Sequence, residues 1–475
     1  MIQIGPLVID FTTLLDIASR NPLAVSWYIF VRGGWIPIGY VLLRGLWWIW
    51  DNHIVGKIMS KWQWVLLSVD VPRENIQSPR AVENIFAHLA GAHKTADLVE
   101  QYITGFAQPY FSFEIVSING FIRFFIYTIN KNRDLVEAAI YAQYPTAEIV
   151  EAQDYAASAP AHFPNPEWQL WGTEFILTKP QAYPLRSYTE FQDETAEESA
   201  FKDPMAALLE TMSGLRDGEQ LWLQIIVTPI KSGSWQEQSR KLVNKIAAIP
   251  AEKHATLFDK LIDFPGNLLT FIVDLFLPGT PAADKKAKEA LPSKMLYLTS
   301  GERATMEAIE HKAAKIGFKT KIRAVYIARK DVFLKARGPY GLVGSIKQVN
   351  TEDLNSLKPD YKKVGTKTKY IWTTTRTNWR RVKIMRAYKA RSNWRGFHGY
   401  VLNTEELATL WHFPVAEAVK APLVKKAESK RGEPPIELPV EFPREFAPIG
   451  GETPAAPPSG PKSAPEGAAP KNLPV

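Results

Sequence analysis

At 475 residues, with 46% apolar and 22% charged side chains, the chain has globular composition and room for two or three domains. The absence of cysteine excludes disulfides, thiolate zinc sites and cysteine nucleophiles, and fits a reducing compartment. A formal charge of +8 favours anionic partners, nucleic acid or lipid, and 15 tryptophans favour membrane or protein interfaces.

Residues 6–20 (PLVIDFTTLLDIASR) read as a short amphipathic helix ended by Asn21-Pro22. The next stretch, WYIFVRGGWIPIGYVLLRGLWWIW, predicts a transmembrane helix over about 27–50 that carries Arg32 and Arg44. Twelve residues of helix separate the two arginines by ~18 Å. Side chains reaching outward from there bracket roughly 30 Å, the thickness of a hydrocarbon core. Trp47, Trp48 and Trp50 form an aromatic belt at one boundary, with Trp27, Tyr28 and Trp35 toward the other, while Gly33, Gly34 and Pro37 predict a bend. A membrane-surface or re-entrant hairpin and a buried core helix are the alternatives. Lys57, Lys61 and Arg73 follow the segment, so the positive-inside rule places the bulk of the chain in the cytoplasm. On this reading residues 1–58 anchor a single-pass protein in the cell membrane.

Residues 59–155 then alternate clearly. KWQWVLLSVDVP (61–72) is a strand, and Ser78-Pro79 opens a helix with Val82, Ile85, Phe86 and Leu89 on one face. Two alternating strands flank Asn119-Gly120, the strongest short hairpin signal; a helix over 132–144 and a strand over 147–153 complete the set. The order strand, helix, strand, strand, helix, strand is the ferredoxin-like (split βαβ) arrangement, an α+β fold. It argues fold and no activity.

Residues 155–167 read as a Pro/Ala-rich linker. A second ferredoxin-like module over 168–420 brings a strand at 171–179, a helix capped by Asp203-Pro204, a strand at 219–230, a helix from a Ser234/Glu237 capping box, a helix from Thr299/Glu302 and a strand at 318–328. Its long insertion, 250–298, is apolar enough to be a packed helical hairpin or an interface element. GPYGLVGSIK near 338–344 lacks the GK[ST] ending of a P-loop and reads as loop punctuation. Residues 421–475 are Pro/Ala-rich and read as a disordered tail.

Nothing pairs carboxylates for acid/base work, no nucleophile elbow appears, and His88 and His93 lack the spacing of a zinc motif. The expectation is a non-enzyme without cofactor or metal. One segment does stand out by charge. Arg376, Arg380, Arg381, Lys383, Arg386, Lys389, Arg391 and Arg395 interleave with Trp379, Tyr388 and Trp394 and no acid interrupts them. That pattern suits phosphate neutralisation with base stacking, or seating on an anionic leaflet; the alternative is a solvated helix face paired with acids elsewhere.

LNTEELATLWHFP (402–414) has Asn403 and Glu406 placed to cap a helix ahead of Trp411, His412, Phe413 and Pro414, a stretch that is either a docking epitope or, the favoured reading, a core contact. Together with VPRENIQSPRAVENIFAHLAGAH, WLQIIVTPI and KKAESKRGEPPIELP it resembles an uncharacterised membrane-associated family linked to type IV secretion and conjugation-type DNA transfer, over about residues 22–440. Some relatives look fused ahead of a hexameric coupling ATPase. The resemblance implies a scaffold or adaptor that presents its α+β modules to such an ATPase in trans or to other secretion subunits, alongside membrane lipid and further copies of the chain. A membrane-tethered nucleic-acid-binding module is the alternative.

Overall fold

The computed structural model describes residues 2–4, 7–9, 26–27, 30–72, 75–191, 203–247 and 298–415. At the N-terminus Ile2–Ile4 pairs with Leu7–Ile9 as an antiparallel hairpin, so residues 7–9 are strand rather than the expected amphipathic helix; residues 10–20 lie outside the described set. A π-turn at Phe30–Gly34 takes up Arg32 and the two glycines that predicted a bend, and helix α1 (Trp35–Met59) begins after it. The irregularity expected at Gly33 and Gly34 is thus a π-turn at the start of the helix. The apolar run left in α1, residues 35–50, is 16 residues, ~24 Å of helix against a core of roughly 30 Å. It contains Arg44 and runs into Asp51, Asn52, His53 and Lys57. Among the described residues no helix is long and apolar enough to cross a membrane.

The next six elements follow the expected order: β1 (Trp64–Asp70), α2 (Pro79–Leu89), β2 (Phe111–Ile118), β3 (Phe121–Ile129), α3 (Arg133–Gln143) and β4 (Glu148–Glu151). The hairpin forms where sequence chemistry allows it, because Asn119 and Gly120 both take left-handed backbone, with φ of 54° and 85°. A second series runs β5 (Trp168–Leu177), α4 (Ala206–Ser213), β6 (Glu219–Pro229), α5 (Ser234–Ile246), α6 (Ser300–Ala314), β7 (Gly317–Arg329), α7 (Pro339–Ile346) and β8 (Leu357–Pro359). Helix α8 (Thr373–Lys389), strand β9 (Tyr400–Asn403) and helix α9 (Thr404–Leu410) follow.

The protein is thus a mixed α+β fold on one large antiparallel sheet. Its strands lie in the order β8-β5-β7-β6-β2-β3-β1-β4, and β9 pairs the first residues of β7 where β5 no longer reaches. The first four strands are wound β2-β3-β1-β4 and the next four β6-β7-β5-β8, the same order from the shared seam outward. At that seam β2 pairs β6 from Phe111↔Val227 to Ile118↔Gln220, which turns two would-be edges into interior strands.

Both faces of the sheet are covered. One face carries Phe86, Phe113, Ile126, Leu223, Tyr326 and Leu342 in a single apolar cluster under α2, α3, α4, α7 and α9. On the other, Leu66, Val116, Phe125, Trp222 and Val325 meet Ile384, Met385 and Tyr388 of α8. The Pro/Ala segment at 155–167 belongs to this second face. Tyr155–Ser158 is a 3-10 turn and Ala156, Ala159 and Phe163 are buried, so it is a packed strap instead of a free linker.

Two further expectations are corrected, and the 411–414 stretch takes the favoured of its two readings. GPYGLVGSIK supplies helix α7 instead of loop punctuation; Gly341 is needed there, because a Cβ would stand 2.4 Å from Thr211 Cγ2 on α4. Helix α5 starts from Gly233, whose N–H donates to Gln236 Oε1 at 2.6 Å, in place of the Ser234/Glu237 box. Trp411, His412 and Phe413 are core residues and closed to a partner. Trp411 packs against Phe113, Phe124 and Phe413 at 4.8, 5.8 and 5.0 Å between ring centres; His412 Nε2 lies 2.9 Å from Asp203 Oδ1, and the Pro414 carbonyl accepts from Asn75. The insertion at 250–297 and the tail at 421–475 lie outside the described residues.

Candidate functional site

Helix α8 divides the basic segment by its own periodicity. Ile384, Met385, Ala387 and Tyr388 face the sheet and are buried. Arg376, Trp379, Lys383 and Arg386, at steps of three, four and three, form one stripe on the opposite side and are exposed.

Four of the eight expected phosphate- or lipid-binding residues are turned to structural work. Arg380 donates to the carbonyls of Tyr361, Lys362, Gly365 and Lys367 at 2.7–3.2 Å and so clamps the loop before the helix. Arg381 donates to the Leu170 carbonyl, and burial pulls its pKa below the usual guanidinium value. Lys389 reaches the carbonyls of Ala157 and Ala159 on the strap. Arg391, buried, forms forked ion pairs with Glu114 (3.1 and 3.2 Å) and Asp154 (2.7 and 2.9 Å). Burial disfavours its charge, but Glu114 and Asp154 outweigh that and raise its pKa.

A second buried arginine shapes the turn after α8. Arg323 on β7 donates to Glu174 Oε1 at 2.6 Å and to the Ser392 and Arg395 carbonyls, while Lys321 reaches the Asn393 and Arg395 carbonyls. Burial first, and then Arg323, lower the Lys321 pKa to about 8. Gly396, at φ 96°, passes directly over Glu174: a Cβ there would lie 2.1 Å from Oε1.

The result is a cleft of about 450 Å³ between this turn, α8 and the loop before it. Lys363, Lys383, Arg386 and Arg395 project around it, with Trp379 as an aromatic wall and Glu174 at the base. The Glu174 oxygens already accept from Arg323 and from the Phe397 N–H, so the carboxylate is internally neutralised. The Lys383 ammonium stands 3.5 Å from the centre of the Trp379 ring, a cation–π contact. Chemically the cleft suits an anion bound through several donors. Lys383, Arg386 and Arg395 are the expected residues that line it, and exposed Arg376, which donates to the Lys369 and Ile371 carbonyls, lies on the adjoining surface.

Lys363 and the neighbouring Tyr370–Trp372 tip escape sequence reasoning, since 361–372 has neither helical nor strand periodicity. The absence of any acid from Tyr361 to Arg395 is the signal that would have found them. Of the expected anchor residues, Trp35, Arg44, Trp47, Trp48 and Trp50 lie on α1 with exposed side chains. Among the described residues no cluster of three or more His, Asp or Glu is placed to hold a metal.

No curated protein matches the chain. Residues 71–338, from the end of β1 through β7, match the family described as Domain of unknown function (DUF8128), so the sheet seam and Glu174 fall inside the match and α8 and its basic stripe outside it. The chain belongs to the DUF8128 family.

Proposed function

We propose that the protein is a non-enzymatic, membrane-attached adaptor of a type IV secretion-like or DNA-translocating complex. In this reading α1 enters the membrane without crossing it, and two tandem ferredoxin-like modules present their shared sheet, on the cytoplasmic side, to a hexameric translocase-type ATPase or another subunit of the complex. The observation that carries it is the surface of α1. Ile36, Tyr40, Val41, Leu43, Leu46, Trp48 and Ile49 all stand out from the folded body, on every side of the helix, each more than half exposed. Contiguous apolar surface of that kind calls for lipid or protein cover, and the tryptophans suit the headgroup boundary. Arg44 reaches the headgroups along its own alkyl stem.

Support for the tandem modules comes from the repeated winding order on either side of the seam. Support for an adaptor role comes from the buried charges: Arg323 pairs Glu174 and Arg391 pairs Glu114 inside the fold, where they hold shape. The test is alkaline carbonate extraction of native membranes followed by purification in mild detergent. The chain is expected in the membrane pellet and with a translocase-type ATPase or secretion subunit in the eluate. Recovery in the supernatant sinks the attachment, and an eluate without such a partner sinks the adaptor role.

A further inference from the structure

We infer that the Tyr370-Ile371-Trp372 tip and the basic cleft beside it form a second membrane contact, independent of α1, in which the tip enters an anionic phospholipid surface and Lys363, Lys383, Arg386 and Arg395 meet the lipid phosphates. The three tip residues are 88%, 69% and 79% exposed, and two of them hold left-handed backbone, φ 73° at Tyr370 and 49° at Trp372. Bulky side chains rarely adopt that conformation, and here it turns three apolar groups outward at once. The tip is braced for the purpose. Arg376 donates to the Lys369 and Ile371 carbonyls, and Thr368 bonds the Thr373 carbonyl and the Thr377 hydroxyl.

Charge complementarity selects the occupant. From Tyr361 to Arg395 the sequence has no Asp or Glu, and the one carboxylate in the cleft, Glu174, is already engaged. An exposed aromatic–aliphatic tip next to unpaired cations matches a bilayer boundary, where apolar groups sink and lysines and arginines stay at phosphate depth. Single-stranded nucleic acid binds by stacking on ring faces, which would leave the exposed aliphatic Ile371 of the tip without cover, and one face of Trp379 is already taken by Lys383.

The absence of native cysteines makes a site-specific test available on the full chain. Ile371→Cys and, separately, Leu43→Cys on α1 are labelled with an environment-sensitive fluorophore and mixed with phosphatidylcholine vesicles with or without phosphatidylglycerol. The Ile371 label is expected to shift to the blue on vesicles containing phosphatidylglycerol and to stay in water on neutral ones. Adding Lys363→Gln, Lys383→Gln and Arg386→Gln is expected to lower that partition by on the order of a hundredfold, about fivefold per charge removed. A silent Ile371 label, or an equal response on neutral vesicles, overturns the inference. So does a response to inorganic phosphate or to a single-stranded oligonucleotide in place of anionic vesicles. The Leu43 label reports α1 alone, so its entry or silence tests the proposed attachment apart from the tip.

Discussion

Arg391 and Glu114 meet across the second face of the sheet, 277 residues apart in sequence, with both guanidinium–carboxylate contacts shielded from water. Glu114 also accepts from Ser112, Tyr155 and Gln224, so its oxygens are fully engaged. Replacing Arg391 by Met leaves Glu114 buried without its cation, and a loss of roughly 3–5 kcal/mol in unfolding free energy is expected. Denaturant titration reads it. The double variant Glu114→Gln, Arg391→Met is expected to recover part of the loss, since no buried charge is then left unpaired and Asp154, partly exposed, keeps its contact with water; a double variant as unstable as the sum of the singles contradicts the account.

Gly396→Ala places a methyl group against the Glu174 carboxylate in a backbone state that only glycine takes freely. The expected cost is about 1–3 kcal/mol from strain, with displacement of the Arg395 turn. A melting temperature unchanged from the parent would show that the turn does not depend on this approach.

Lys321 gives an alkaline signature. Its folded pKa of about 8 lies below the unfolded lysine value of 10.5, so between those values the unfolded chain holds more protons. Stability from this group therefore rises as pH increases from 8 toward 10. Lys321→Met is expected to flatten the rise in denaturation midpoint over that interval, and an unaltered profile refutes the assignment.

The Asp203–His412 contact gives the opposite, acidic signature. Burial works against the Asp203 carboxylate, but the His412 charge, its hydrogen bond and the Met205 and Val415 N–H groups hold the pKa below the ordinary value. A depressed carboxyl stabilises above the unfolded pKa, near 4, and that contribution disappears as pH falls through the folded pKa. Asp203→Asn is expected to lower stability at neutral pH and to soften the acid limb of the unfolding curve. A variant whose acid limb superimposes on the parent's would remove this residue from the explanation.

Leu43→Glu with Leu46→Glu tests α1 without touching the core, since both side chains are already exposed. Two carboxylates on a helix immersed in lipid are expected to reduce membrane partition by on the order of a hundredfold or more while leaving the unfolding midpoint of the sheet unchanged. Retention in the membrane fraction would point to a protein neighbour covering the helix.

Local chemistry made much of the fold readable in the sequence. Asn119-Gly120, Ser78-Pro79, Thr299/Glu302 and Asn403/Glu406 each carry their geometry in two or four residues, and the elements they bound form close to where expected. What depends on distant contact was not readable. The helix at Pro339–Ile346 contains Gly341, whose reason is the proximity of Thr211 on α4, and the strap at 155–167 looks like a linker until Trp222 and Tyr388 lie over it. The basic segment was visible as a run of charge, yet which of its residues turn inward follows from partners distant in sequence, the Leu170, Ala157 and Ala159 carbonyls and the acids at 114 and 154, that no local pattern connects to it. Gly33 and Gly34, expected to bend the membrane segment, fall in a π-turn that runs directly into α1.

The pairing of Phe111–Ile118 with Gln220–Val227 has a practical corollary for anyone dissecting the chain. Either half expressed alone would bare a long, flat, hydrophobic strand whose main-chain donors and acceptors are free to recruit a neighbour, so truncation at the strap is expected to yield inclusion bodies instead of two usable fragments. The two repeats are consequently one cooperative folding unit, and a lesion in either should be felt across the whole width of the molecule.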